Sequence, residues 1–114
     1  MTTPDSRRPE NLERLERLLA LHAAEPEDGF VLYGLAQECG KLGRLEEAVA
    51  WYDRTIAADP AQCYAFFHKA KALEEAGRRD EAADVLRHGL VRAREVRDLK
   101  AASEIEAYLD DIVS

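Results

Sequence analysis

"GRLEEAVAWYDRTIAADP", residues 43–60, returns 34 positions later as "GRRDEAADVLRHGLVRAR", residues 77–94. Gly43 and Gly77, Arg44 and Arg78, Glu47 and Glu81, and Ala48 and Ala82 occupy matching places. Self-similarity at a fixed interval marks an architecture built from one repeated unit. Glycine at 43 and 77 suits a helix end that turns through the left-handed region, because it has no Cβ to clash. The alanines at 48 and 82, with Ala36 and Ala70 on the preceding segments, let two antiparallel helices approach closely.

Outward from these two stretches the helical period dominates, and β-branched residues are scarce. The pattern predicts a first helix over about 10–24, with Pro9 in its first turn. Its apolar stripe is Leu12, Leu15, Leu18, Leu19 and His22, and Pro26 follows its end. The second helix covers about 29–41 through Leu32, Leu35, Ala36 and Cys39. The third covers about 45–58 and stops before Asp59–Pro60, because proline disfavours helix in the residue before it. A fourth covers about 63–76, and a fifth, meeting no proline, runs from about 80 to 96. The sixth spans about 98–113, carries Leu99, Ala102, Ile105, Leu109 and Ile112, and has Asp98 as N-cap. Gly89 lies inside the fifth helix, where glycine costs about 1 kcal/mol relative to alanine. Close approach by a neighbouring helix, the sixth, is the expected compensation.

The 34-residue helix–turn–helix unit, its small residues, its turn glycine, an aromatic at Tyr52 and a closing Pro60 resemble the tetratricopeptide repeat. The first unit, about 27–60, matches through Leu32, Leu35, Ala36, Gly43, Leu45, Ala48, Tyr52, Ile56 and Pro60. The second, about 61–94, keeps Phe66, Ala70, Leu73, Gly77, Ala82, Leu86 and Leu90. It departs at Lys69, where the family has a core leucine, at Arg79, where it has an aromatic, and at Arg94, where it has proline. Carried backwards, the interval sets Pro26 under Pro60 and Arg14 under Ala48, so the first helix reads as half a repeat acting as a cap. The resemblance implies an all-α fold, an α-solenoid of about six antiparallel helices. Two repeats lie between caps at about 10–25 and 98–113, forming a single domain over 10–114 behind a disordered N-terminus, 1–9. The segment "GLVRAREVRDLKAASEIEAYLDDI" is also similar to the tail of short bacterial two-repeat proteins, and twelve Arg against four Lys point to a GC-rich genome.

In this family the first helix of each pair lines a concave face where extended or helical peptides lie. The resemblance therefore implies a partner-binding set of Phe30, Tyr33, Gln37 and Lys41, then Tyr64, Phe67, His68, Lys71 and Glu75. Aromatic side chains bury large area with few rotors and make good anchors. The alternative is that Phe30 and Phe67 pack under the capping helices and complete the core. A clamp for acidic chaperone tails, known in the family, does not fit: Tyr33, Gln37 and His68 stand where it has Lys and Asn.

Other chemistry finds no support. Sixteen basic against 23 acidic side chains, a net charge of −7, argue against a nucleic-acid partner, whose phosphates require clustered Lys and Arg. His22, Cys39, Cys63, His68 and His88 lack metal-ligand spacing; the nearest pair, Cys63 and His68, are five apart where helical neighbours are three or four apart. Ser6, Ser103 and Ser114 have no implied His or Asp partner, so no nucleophile is activated. Glu46–Glu47, Glu74–Glu75 and Asp110–Asp111 read as solvated faces, and Gly40 and Gly43 follow no strand, so they make no phosphate loop. Two cysteines are too few for a disulfide framework. "SRRPENL" is similar to a twin-arginine export signal but is followed by charged helix rather than an apolar stretch. No run approaches the 18 apolar residues of a bilayer span. The expectation is a non-catalytic, cytoplasmic protein-interaction module without cofactor, monomeric or a weak homodimer. A self-associating scaffold that uses the concave face or the last helix is the alternative.

Overall fold

The computed structural model describes residues 10–114, and for 10 and 11 the backbone alone. The expectations for 1–9, Pro9 and Ser6 among them, lie outside the described residues. Six helices follow in order: α1 (Glu10–Ala24), α2 (Gly29–Lys41), α3 (Leu45–Ala58), α4 (Cys63–Glu75), α5 (Arg79–Glu95) and α6 (Leu99–Val113). No strand occurs among the described residues. Each helix packs antiparallel on the next, giving an all-α stack. No described helix is long and apolar enough to cross a membrane.

The helix ends show why the chain turns where it does. Asp28 caps α2, its carboxylate accepting from Phe30 N at 2.9 Å and Val31 N at 3.4 Å. Gly43 and Gly77 take φ of 75° and 80°, so that Arg44 N reaches back to Cys39 O at 2.9 Å and Arg78 N to Leu73 O at 2.8 Å. Those bonds satisfy carbonyls that a helix end leaves open. After α5 the same left-handed position is held by Arg97, φ 61°, and Asp98 N reaches Ala93 O at 2.9 Å. Asp98 then caps α6, accepting from Ala101 N at 3.1 Å.

Ala36, Ala48, Ala70 and Ala82 are all fully buried, which places the small residues between the paired helices. Leu32, Leu35, Leu73, Leu86 and Ile105 are the largest apolar side chains fully buried in the stack. The apolar stripes differ from expectation at two points. Leu19 is 43% exposed and Leu99 76%, because α1 and α6 are end layers with one uncovered side. Gly89 is buried, but its nearest neighbour is Phe66 of α4 rather than α6: an added Cβ would lie 2.6 Å from Phe66 Cβ and 3.4 Å from Ile105 Cδ1.

The three departures of the second unit each have an ionic or polar partner on a neighbouring helix. Lys69 pairs with Asp53 of α3, and Arg94 with Glu106 of α6 at 3.2 Å. Arg79 donates to the Ile112 carbonyl at 2.9 Å, placing a cation at the negative end of α6. Arg14, at the alanine position of the cap, approaches the buried Glu38 at 3.5 Å. Glu38 also accepts from Lys41 Nζ at 3.1 Å.

The stack curves. Cα atoms of α2 and α4, and of α4 and α6, approach within 8 Å, whereas no such approach joins α1 to α3 or α3 to α5 among the described residues. The row α2, α4, α6 is therefore the inner, concave side. The outer row meets through long side chains: His22 of α1 against Trp51 of α3, ring centres 5.0 Å apart, and Arg78 against Glu46 at 2.7 Å. The radius of gyration is 15.5 Å, above the roughly 13 Å of a compact chain of about 100 residues. An open stack leaves its inner surface accessible.

Candidate functional site

Along α4, Phe67, Lys71 and Glu74 recur at i, i+4 and i+7, and along α6, Glu104, Ala107, Tyr108 and Asp111 recur at i, i+3, i+4 and i+7. Each set is one helix face. The two faces meet around a hollow of about 450 Å³ lined by these seven residues. A second hollow, about 370 Å³, lies between α2 and α4 and is lined by Gln37, Gly40, Lys41, Leu45, Tyr52, His68, Lys71, Ala72 and Glu75. Lys71 belongs to both, so the two form one trough across the concave side.

Aromatic rings run beneath the trough. Tyr33 lies 6.0 Å from both Tyr52 and His68, and His68 stacks on Tyr52 at 6.3 Å. Phe67 meets His68 edge-on at 5.4 Å, Tyr64 at 6.3 Å and Tyr108 at 5.2 Å. Edge-to-face and offset contacts of this kind hold the rings in fixed orientation. Burial pushes the phenols of Tyr33 and Tyr52 up, further from ionisation than a free tyrosine. Burial, and then the Lys71 ammonium, lower the His68 imidazole, which favours its neutral form.

At the α4–α6 hollow two tyrosines reach across to carboxylates on the opposite helix. Tyr108 donates to Glu74 Oε1 at 2.6 Å. Tyr64 stands beside Glu104, and that carboxylate is the main reason its phenol is pushed up to about 12. A neutral donor orients a carboxylate without cancelling its charge.

Eight of the nine side chains expected on this face come together here. Gln37, Lys41, His68, Lys71 and Glu75 line the α2–α4 hollow, Phe67 lines the other, and Tyr33 and Tyr64 join the ring network. Phe67 is half covered by Tyr108 of the last helix. Phe30 stands apart at the start of α2, 89% exposed, so the alternative in which it completes the core does not hold. Glu74, Glu104, Tyr108 and Asp111 also line the α4–α6 hollow and lie outside the expected set. Their spacing on α6 and α4 was the available signal. Among the described residues no group of three or more His, Cys, Asp or Glu is placed to hold a metal ion.

Tetratricopeptide repeat models match residues 31–62 and 59–88. The solution structure of a tetratricopeptide repeat domain protein from Salinibacter ruber is 32% identical over 77% of this chain and 89% of that one, with a TM-score of 0.71. The chain belongs to the tetratricopeptide repeat family. More distant solved structures share the fold. The TPR2B domain of yeast Sti1, in its pHsp70 complex, has a TM-score of 0.80 at 23% identity, covering 87% of this chain and 79% of that one. PcrH, in complex with the chaperone-binding region of PopD, has a TM-score of 0.84 at 20% identity, covering 91% and 79%. No curated protein matches the sequence significantly. In this tetratricopeptide repeat protein the trough therefore lies on the inner helices of the two matched units and on α6 beyond them.

Proposed function

We propose that the chain is a non-catalytic binding module that holds a segment of a partner protein along the trough of α2, α4 and α6. The observation that carries this is the continuity of the trough: two hollows of about 370 and 450 Å³ share Lys71 and lie over one network of rings. Rings fixed by their neighbours offer apolar area with little ordering cost on binding. Two neighbours of similar fold carry polypeptide partners, Sti1 in its pHsp70 complex and PcrH with part of PopD. The binding set is Tyr33, Gln37, Lys41, Tyr64, Phe67, His68, Lys71 and Glu75, with Phe30 at the rim. The net charge of −7 supports a protein partner over a nucleic acid, and a cytoplasmic setting accords with the composition.

The test compares partner capture by the native chain, by Tyr33→Ala with Tyr64→Ala, and by Arg54→Ala with Arg87→Ala on the outer helices, all checked for helicity. Capture lost with the first pair alone supports the trough, and capture lost with the outer pair alone overturns it. Self-association is favoured by a separate observation: Val91, Val96 and Leu99 lie exposed within nine positions around the α5–α6 turn. Solution mass across a dilution series separates the two, since a monomer at all concentrations removes the second reading.

A further inference from the structure

We infer that the hollow between α4 and α6 seats a cationic side chain, a Lys or Arg carried by the partner segment. This rests on the trough reading and adds the chemistry of the occupant. The hollow, about 450 Å³, is lined by the rings of Phe67 and Tyr108, which touch each other with centres 5.2 Å apart. Around those rings stand Glu74, Glu104 and Asp111, against the single ammonium of Lys71. A cation over an aromatic face gains from the ring quadrupole, and an adjoining carboxylate adds a charge-assisted hydrogen bond.

One of the carboxylates is held ready for such a guest. Tyr108 fixes Glu74 by one oxygen, and a phenol leaves the negative charge in place. Among the described residues no Lys or Arg forms an ion pair with Glu74, Glu104 or Asp111, whereas Glu106, on the same helix, is taken by Arg94. The neighbouring hollow is balanced, with Lys71 beside Glu75 and Lys41 paired with Glu38. A partner segment therefore meets its excess of negative charge at one end of the trough, and its basic residue belongs over α4 and α6. Complementarity of this kind sets register and suppresses wrong partners.

The probes are two acetylated, amidated heptapeptides, Ala-Leu-Arg-Ala-Leu-Arg-Ala and its twin with Glu in place of Arg. Each is titrated into the full ¹⁵N-labelled chain at low salt. The Arg peptide is expected to shift the amides of Phe67, Glu74, Glu104, Tyr108 and Asp111 and to bind about fivefold or more tighter than its twin. Glu104→Gln with Asp111→Asn, both at exposed positions, weakens the Arg peptide about tenfold and leaves the twin unchanged. Lys71→Gln tightens the Arg peptide. The inference is overturned if the twin binds as tightly, if the double variant has no effect, or if the Arg peptide leaves α4 and α6 unshifted. A twin that shifts the α2–α4 hollow, with a silent Arg peptide, removes the cation seat and keeps the trough. Shifts confined to α3 and α5 remove both.

Discussion

Phe66 of α4 lies so close to Gly89 of α5 that a Cβ at position 89 would stand 2.6 Å from Phe66 Cβ. That atom is attached to the α4 backbone, so a rotamer change does not clear it. Gly89→Ala gains about 1 kcal/mol of helix propensity and meets an overpacking cost of roughly 1–3 kcal/mol. The expected result is a net loss of stability in urea denaturation. A more stable variant would show that α4 withdraws without cost.

Arg97 occupies the left-handed position that Gly43 and Gly77 fill in the other two turns. An L side chain there costs about 1–2 kcal/mol, and glycine returns part of this as backbone entropy. Arg97→Gly should raise unfolding free energy by about 0.5–1 kcal/mol. A loss would mean that the arginine side chain holds the turn.

Glu38 is 4% exposed, and its Oε1 has no hydrogen-bond partner. Its cations, Arg14 and Lys41, are 40% and 50% exposed, so the charges that face it are largely in water. Replacing a buried ion by an apolar group of similar shape is often neutral or stabilising. Glu38→Met should leave stability unchanged or raise it by up to about 2 kcal/mol. A large loss in thermal unfolding would show that the ion pair holds α1 in place.

His68, beside Tyr33, Tyr52, Phe67 and Lys71, has its folded-state pKa lowered by burial and then by Lys71. The unfolded chain then takes up the proton first, at about 6.5. The contribution of neutral His68 is complete above that value and is lost as pH falls through the lower, folded one. Unfolding free energy measured from pH 7.5 to 5 should fall more steeply in the native chain than in His68→Gln. Parallel slopes would contradict it.

The repeat was legible because its signals are local. Gly43 and Gly77 mark turns by their conformation, and Ala36, Ala48, Ala70 and Ala82 mark contacts by their size. The inner face of α2 and α4 followed from the same interval. The α6 half of the site did not, because the interval breaks after Arg94. The N-caps Asp28 and Gln62 are 34 positions apart, but Gln62 and Asp98 are 36 apart. Without a proline α5 runs on, α6 starts two residues late, and the interval no longer shows which of its side chains face inward. Glu38 was hidden for a different reason: only the packed cap α1 makes its position an interior one.

The most direct test of the trough is a photo-crosslinking amino acid placed at Lys71, where the two hollows meet, and separately at Arg87 on the outer helices. The account predicts one partner polypeptide joined to position 71 and none to position 87. Crosslinks from position 87 with none from 71, or from 71 only to a second copy of the chain, would contradict it.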